Sequence, residues 1–160
     1  MTMDEQTIKA FPKLHYYVRI NMPEVANVNA IVSAVQKLSG KTSGATIKKA
    51  LKWGNQPTIQ VVDNLICAGK KSFGCYSWGS NVLRVDKALV EQFEAGGGLV
   101  KTTKGKRVYL LGVTLLHELT HWADAQDGVD DAVSGDPSNE EGNAYEKAVY
   151  GKVLDHSDDA

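Results

Sequence analysis

YLLGVTLLHELTHWADAQD, residues 109–127, is the stretch on which the fold turns. Leu110, Val113, Leu116, Leu119, Trp122 and Ala123 recur at helical spacing, and the run has the length and apolar density of a buried helix. Inside it lies a His-Glu-x-x-His motif, His117 to His121. Residues four apart stack on one helical face about one turn apart, so both imidazoles can reach a single cation. Glu118 projects to the side of the pair, where it can hydrogen-bond a water in the open position of a zinc ion. Zinc lowers the pKa of such a water to about 7, and a carboxylate can then take its proton and deliver it to a leaving amine. The alternative is a set of polar residues on a solvated helix face. At this chain's own His and Glu frequencies a chance match is expected roughly 0.005 times, which leaves that alternative the weaker one. Leu115, Leu116, Leu119 and Trp122 flank the pair with apolar side chains, which places it in a cleft.

Working outward, residues 136–138 open a last helix over about 139–154, after an acidic connector at 128–135. Upstream, residues 101–107 form a basic, turn-rich surface segment, and Gly96, Gly97 and Gly98 end a helix over 87–93 that Asp86 is placed to cap. Residues 58–66 and 81–85 are β-prone and read as strands of a small antiparallel sheet joined through a cysteine loop. Val28, Ile31, Val32, Val35 and Leu38 predict an amphipathic helix over 25–38, stopped at Ser39 and Gly40, and residues 46–53 predict a shorter one. Several helices on a short mixed or antiparallel sheet make an α+β domain, and no repeat or linker divides residues 1–160.

Composition narrows the function. With 160 residues, 42% hydrophobic and 23% charged, the chain suits one core. A formal net charge of −1 lacks the excess of Lys and Arg with which nucleic-acid binders displace phosphate counterions, so nucleic acid is not an expected partner. No apolar run approaches the roughly 18 residues of a membrane span. Asp4, Glu5, Lys9, Lys13 and Arg19 interrupt the segment in which a signal peptide would need an apolar core. The expectation is a cytoplasmic protein, or one exported as part of a larger secreted effector. Cys67 and Cys75 flank a loop-like stretch whose ends a disulfide can join, and two reduced, partly buried thiols are the alternative.

A hydrolytic zinc site takes a third protein ligand and keeps a fourth position open. Glu141 is the favoured candidate, on a helix where Ala144, Tyr145, Ala148 and Val149 share its inward face. Against it, residues 138–141 also fit a capping box, in which Glu141 would reach back to the first helical amide. Glu140 points about 100° away and is less favoured. Asp127 is the second candidate, but a Gly three residues after the second His usually turns the chain back in that arrangement, and Asp124 stands there. Asp124 is placed either to accept a hydrogen bond from an imidazole or to end the helix in solvent. Glu146 can likewise support the other His, although a surface role suits an amphipathic helix better. Tyr145, Tyr150 and His156 are the candidate donors to a developing oxyanion, with His156 in a frayed tail.

At these residues the sequence resembles the zincin metallopeptidases, specifically the branch with a Glu third ligand. His-Glu-Leu-Thr-His is the form seen in thermolysin-like enzymes, and residues 141–144 resemble the Glu-x-x-Ala pattern of minimal zincins. The resemblance covers about a third of the chain and implies a zinc peptidase with His117, His121 and Glu141 as ligands and Glu118 as general base. Thermolysin-like enzymes carry an Asp four residues after the ligand Glu, whereas Tyr145 stands there. Zincins also hold extended substrate on an edge strand, for which residues 81–85 are the candidate; Tyr76 and Trp78 either wall the cleft or, as an aromatic pair in a hairpin more often does, pack on the core. The chain is similar, too, to the metallopeptidase toxin domains of bacterial polymorphic toxins and type VI secretion effectors. That similarity implies a peptide or protein substrate in a competing cell and a cognate immunity protein. A non-catalytic metal-stabilised module and an amidase acting on cell-wall peptide remain alternatives.

Overall fold

Short helices, not one long one, fill the N-terminal third. The fold is that of a computed structural model, which describes residues 1–128 and 141–154. α1 (Glu5–Ala10) starts where the Asp4 carboxylate accepts from the Thr7 amide at 2.8 Å, and α2 (Pro12–Tyr16) starts on a proline. A π-helical turn (Tyr17–Asn21), α3 (Met22–Glu24) and a 3₁₀ turn (Val25–Asn27) follow. The helix expected over 25–38 is therefore divided: Val28 is extended, and α4 (Asn29–Leu38) begins after it, burying Val32 and Val35. Gly40 at φ 67° turns the chain away, and Ser43 caps α5 (Gly44–Leu51).

The central segment supplies β1 (Thr58–Val62), β2 (Ile66–Cys67), β3 (Lys70–Lys71), β4 (Gly74–Tyr76) and β5 (Val82–Asp86). The main sheet has the order β1-β5-β4, while β2 and β3 form a separate hairpin. β1 and β5 run parallel, contrary to the antiparallel pairing expected, because the hairpin and β4 intervene and carry the chain back to the starting end. β4 pairs antiparallel with β5, so the sheet is mixed. Ile59, Leu83 and Val85 point into the core.

Asp86 precedes α6 (Lys87–Glu94) but does not cap it with its side chain. Its carboxylate is buried and accepts from the Leu65 amide at 2.9 Å, since satisfying a buried amide outweighs capping a helix end that water can reach. The basic stretch at 101–107 forms the turn of a hairpin between β6 (Leu99–Lys101) and β7 (Arg107–Tyr109). α7 (Leu110–Ala125) and α8 (Glu141–Tyr150) complete the described elements. α7 is surrounded: β4 and β5 lie against it on one side, α4 and α8 on others, which is why it is apolar nearly all round and not on one stripe. The architecture is α+β, as expected. Among the described residues no helix is long and apolar enough to cross a membrane.

Candidate metal centre

From Leu110 to Asp124, every residue of α7 is buried except His121. The motif therefore sits in the interior and opens to solvent at its second imidazole, whose side chain is 22% exposed against 9% for His117. The two rings lie with centroids 5.2 Å apart, as four-residue spacing on one helix requires. Glu118 is buried, with Oε1 at 4.0 Å from His117 Nε2.

α8 crosses this face by its first turn. Glu141, 5% exposed, brings Oε2 to 3.3 Å from His121 Nδ1. The expected inward face of α8 holds at Glu141 and Tyr145, while Ala148 is exposed. Gly142 lies against the other imidazole: a Cβ there would fall within van der Waals contact of His117 Nε2, Cδ2 and Cε1 together. Glycine is what lets α8 approach the ring nitrogen.

Glu146, expected at the surface, is fully buried behind the site. Its Oε1 lies 2.5 Å from His117 Nδ1, and its Oε2 accepts from the Leu154 amide at 2.5 Å. A backbone amide can only donate, so Oε2 accepts there, and a Glu146 carboxylate leaves Oε1 as an acceptor for the imidazole. With Glu146 as acceptor, Nδ1 of His117 carries the proton and Nε2 keeps its lone pair toward Gly142 and Glu118. Sequence reading undervalued this residue because helical periodicity says which face it lies on but not that residues 151–154 fold back over that face.

The competing assignments separate. Asp127 Oδ2 accepts from the Lys41 amide at 3.0 Å, on the turn between α4 and α5. Asp124 is buried at 2% and is not a solvated helix end. Tyr145 and Tyr150 are buried and share a hydrogen bond between hydroxyls at 3.1 Å; burial, then the neighbouring phenol, pushes the Tyr145 hydroxyl well above its ordinary pKa. Such enclosed phenols are poorly placed to meet an oxyanion. Glu140, His156, the connector at 129–135 and the cap at 138 lie outside the described residues.

The strand beside the motif is β4, not β5. β5 has a neighbour on each side, so its backbone is consumed within the sheet, whereas among the described residues β4 is an edge. The Asp86 backbone amide donates to the Phe73 carbonyl at 2.7 Å, which sets the antiparallel alternation: Cys75 pairs with Arg84 through the backbone, and Gly74 and Tyr76 direct their amides and carbonyls away from β5. A Cβ on Gly74 would meet Thr114 Cγ2 at 2.7 Å and Glu118 Cγ at 2.8 Å, so this edge lies directly on the general-base candidate. Tyr76 packs on the core and donates to the Ser80 carbonyl at 3.0 Å, and Trp78 is half exposed.

Residues 7–151 match the sequence model of metallopeptidase toxin 3. The chain belongs to the metallopeptidase toxin 3 family. No curated protein and no solved structure matches it. Membership makes it a metallopeptidase toxin domain, which implies a metal ion and a peptide-bond substrate. Among the described residues no three His, Cys, Asp or Glu side chains stand as a closed metal-holding group. The donor chemistry of this metallopeptidase toxin nevertheless fits one: two imidazoles and a buried carboxylate meet at one end of the cleft, Gly142 keeps side-chain bulk away from His117 Nε2, and Glu146 fixes the tautomer that leaves that nitrogen basic.

Proposed function

We propose that residues 1–160 act as a single-domain zinc peptidase toxin, with His117, His121 and Glu141 as metal ligands and Glu118 as general base. The observation that carries this reading is the meeting of α7 and α8: Glu141 faces His121 while Glu146 braces His117 from behind. When bound, zinc supplies Lewis acidity toward water and the scissile carbonyl. Glu118 then accepts the proton of the attacking water and returns it to the departing amine nitrogen, so one carboxylate serves as base and then acid. Extended substrate pairs with the outward amides and carbonyls of Gly74 and Tyr76, which aligns its backbone beside Glu118.

A structural, non-catalytic metal site would close with a fourth protein ligand. Among the described residues, the candidates Asp127 and Glu146 are engaged with the Lys41 amide and with His117 and Leu154 respectively, which favours an open position. Cleavage of a cell-wall peptide amide uses the same chemistry, and substrate panels distinguish it. In the proposed setting the domain is delivered into a competing cell by a contractile secretion system and is restrained in its own cell by an immunity protein.

The test is metal content and turnover in three proteins. Wild type is expected to hold about one zinc per chain and to lose it in Glu141→Ala. Glu118→Gln is expected to keep zinc while peptide hydrolysis falls on the order of 10²–10⁴-fold. Full zinc in Glu141→Ala would move the third ligand elsewhere, and undiminished turnover in Glu118→Gln would remove that carboxylate from the chemistry.

A further inference from the structure

β4 is only three residues long, yet it is held from both faces. Side chains alternate along a strand, so Gly74 turns toward α7 and Glu118 while Cys75 turns to the opposite face. There Cys75 is bonded to Cys67 of the β2–β3 hairpin, with the Cα atoms 5.7 Å apart. Arg84, the partner of Cys75 in the ladder, adds a contact from Nη2 to Cys75 Sγ at 3.1 Å and to Ser77 Oγ at 2.9 Å. The helix side holds β4 by van der Waals contact at a glycine, which is weak per atom. The covalent hold is on the other face.

We propose that the Cys67–Cys75 bridge is a redox clamp on the substrate-pairing strand, so that the domain is slack and poorly active while its thiols are reduced and becomes competent on oxidation. This rests on the peptidase reading for its consequence, but not for its structural content. Closure takes two thiols to one disulfide; the two protons and two electrons pass to an acceptor disulfide, which is released as two thiols. A reducing cytosol disfavours that step and an oxidising compartment favours it. The clamp thus makes the compartment of action an oxidising one, and the chemistry of the cysteines spares the cell that makes the domain. Cys75 is only 4% exposed, whereas Cys67 is partly exposed, so external thiols reach the bridge from the hairpin side.

The experiment compares oxidised wild type, the same protein reduced with a phosphine, and the Cys67→Ser/Cys75→Ser variant, by hydrogen exchange of the zinc-loaded chain and by cleavage of a peptide library. The ladder amides of residues 75, 84 and 86, which tie β4 to β5, are expected to exchange on the order of tens of times faster in the two open forms, while those of α7 keep their protection. Zinc content should be equal in all three, and cleavage should fall roughly tenfold or more, mainly through a raised KM as an edge strand that no longer holds substrate requires. Equal protection of β4 in open and closed forms overturns the clamp whether or not a substrate is found. Loss of α7 protection in both open forms also overturns it, because the bridge would then support the whole fold. A loosened β4 with no cleavage in the oxidised form sustains the clamp and counts against the peptidase reading alone.

Discussion

α7 and β4 face each other across the same few ångströms and could hardly differ more in how they are held. α7 is a buried helix whose chemistry lies on one helical face, and its geometry is internal to the helix: four-residue spacing brings His117 and His121 together whatever surrounds them. β4 has no such internal order. Its position depends on a three-residue ladder to β5, a covalent tie to a hairpin and a glycine contact to Glu118. One wall of the cleft is thus set by local sequence and the other by remote partners. The lesson is that the wall bearing the proposed metal ligands is set rigidly, while the edge proposed to hold substrate is adjustable.

The comparison breaks most sharply if α8 is kept from α7. Gly142→Ala places a methyl group against His117 Nε2. In an ordinary helix the change would stabilise by up to about 1 kcal/mol, so a destabilised or metal-free variant reports the contact and not the propensity. Zinc affinity is expected to fall more than about 100-fold, since the added methyl competes for the space beside a ligand nitrogen. Titration against a chromophoric chelator measures it, and an affinity equal to wild type would show that His117 Nε2 faces no metal.

A smaller effect is expected from Glu146→Gln. Two donors meet its two oxygens, and an amide has only one acceptor oxygen, so the variant must turn an NH₂ group toward either His117 or the Leu154 amide. Zinc affinity should drop by about 10–100-fold with the rest of the fold intact, and ¹⁵N spectra of the imidazoles should register a changed tautomer balance at His117 alone. Unchanged affinity would reduce Glu146 to a tie between α8 and residues 151–154.

How far the sequence revealed these features follows the same division. The buried helix at 110–125, the imidazole pair on it and the approach of Glu141 to that pair were legible because each depends on helical spacing or on the type of residue the proposed chemistry needs. The place of the edge strand was not. Residues 81–85 and 74–76 have comparable β character, and which of them lies at the edge is decided by β1 taking the far side of β5 in parallel. Asp86 misled for a related reason: its position before α6 is that of a cap, but Leu65 brings a buried amide within reach from twenty-one residues away. Glu146 was hidden because its burial depends on where the chain goes after Gly151. Contacts within one helix can be counted off along the sequence; contacts between strands, or with a chain that folds back, cannot.

The finest probe of the comparison is Gly74→Ala, which touches both walls at once. The new Cβ would meet Thr114 Cγ2 at 2.7 Å and Glu118 Cγ at 2.8 Å, closer than carbon atoms tolerate, and Thr114 is fully buried on a helix packed on every side. Something must yield, and the unequal restraint on the two elements says which. α7 has no room to retreat, whereas β4 can lean outward on its short ladder. The cost is that of one extra methyl in a packed region, about 1–3 kcal/mol, and thermal or denaturant unfolding reads it directly. Zinc affinity should remain close to wild type, because the proposed ligands on α7 and α8 do not depend on β4, while the KM for peptide rises. A variant that instead loses zinc in proportion to its stability would place the compliance in α7, and the division between a rigid chemical wall and an adjustable binding wall would not survive it.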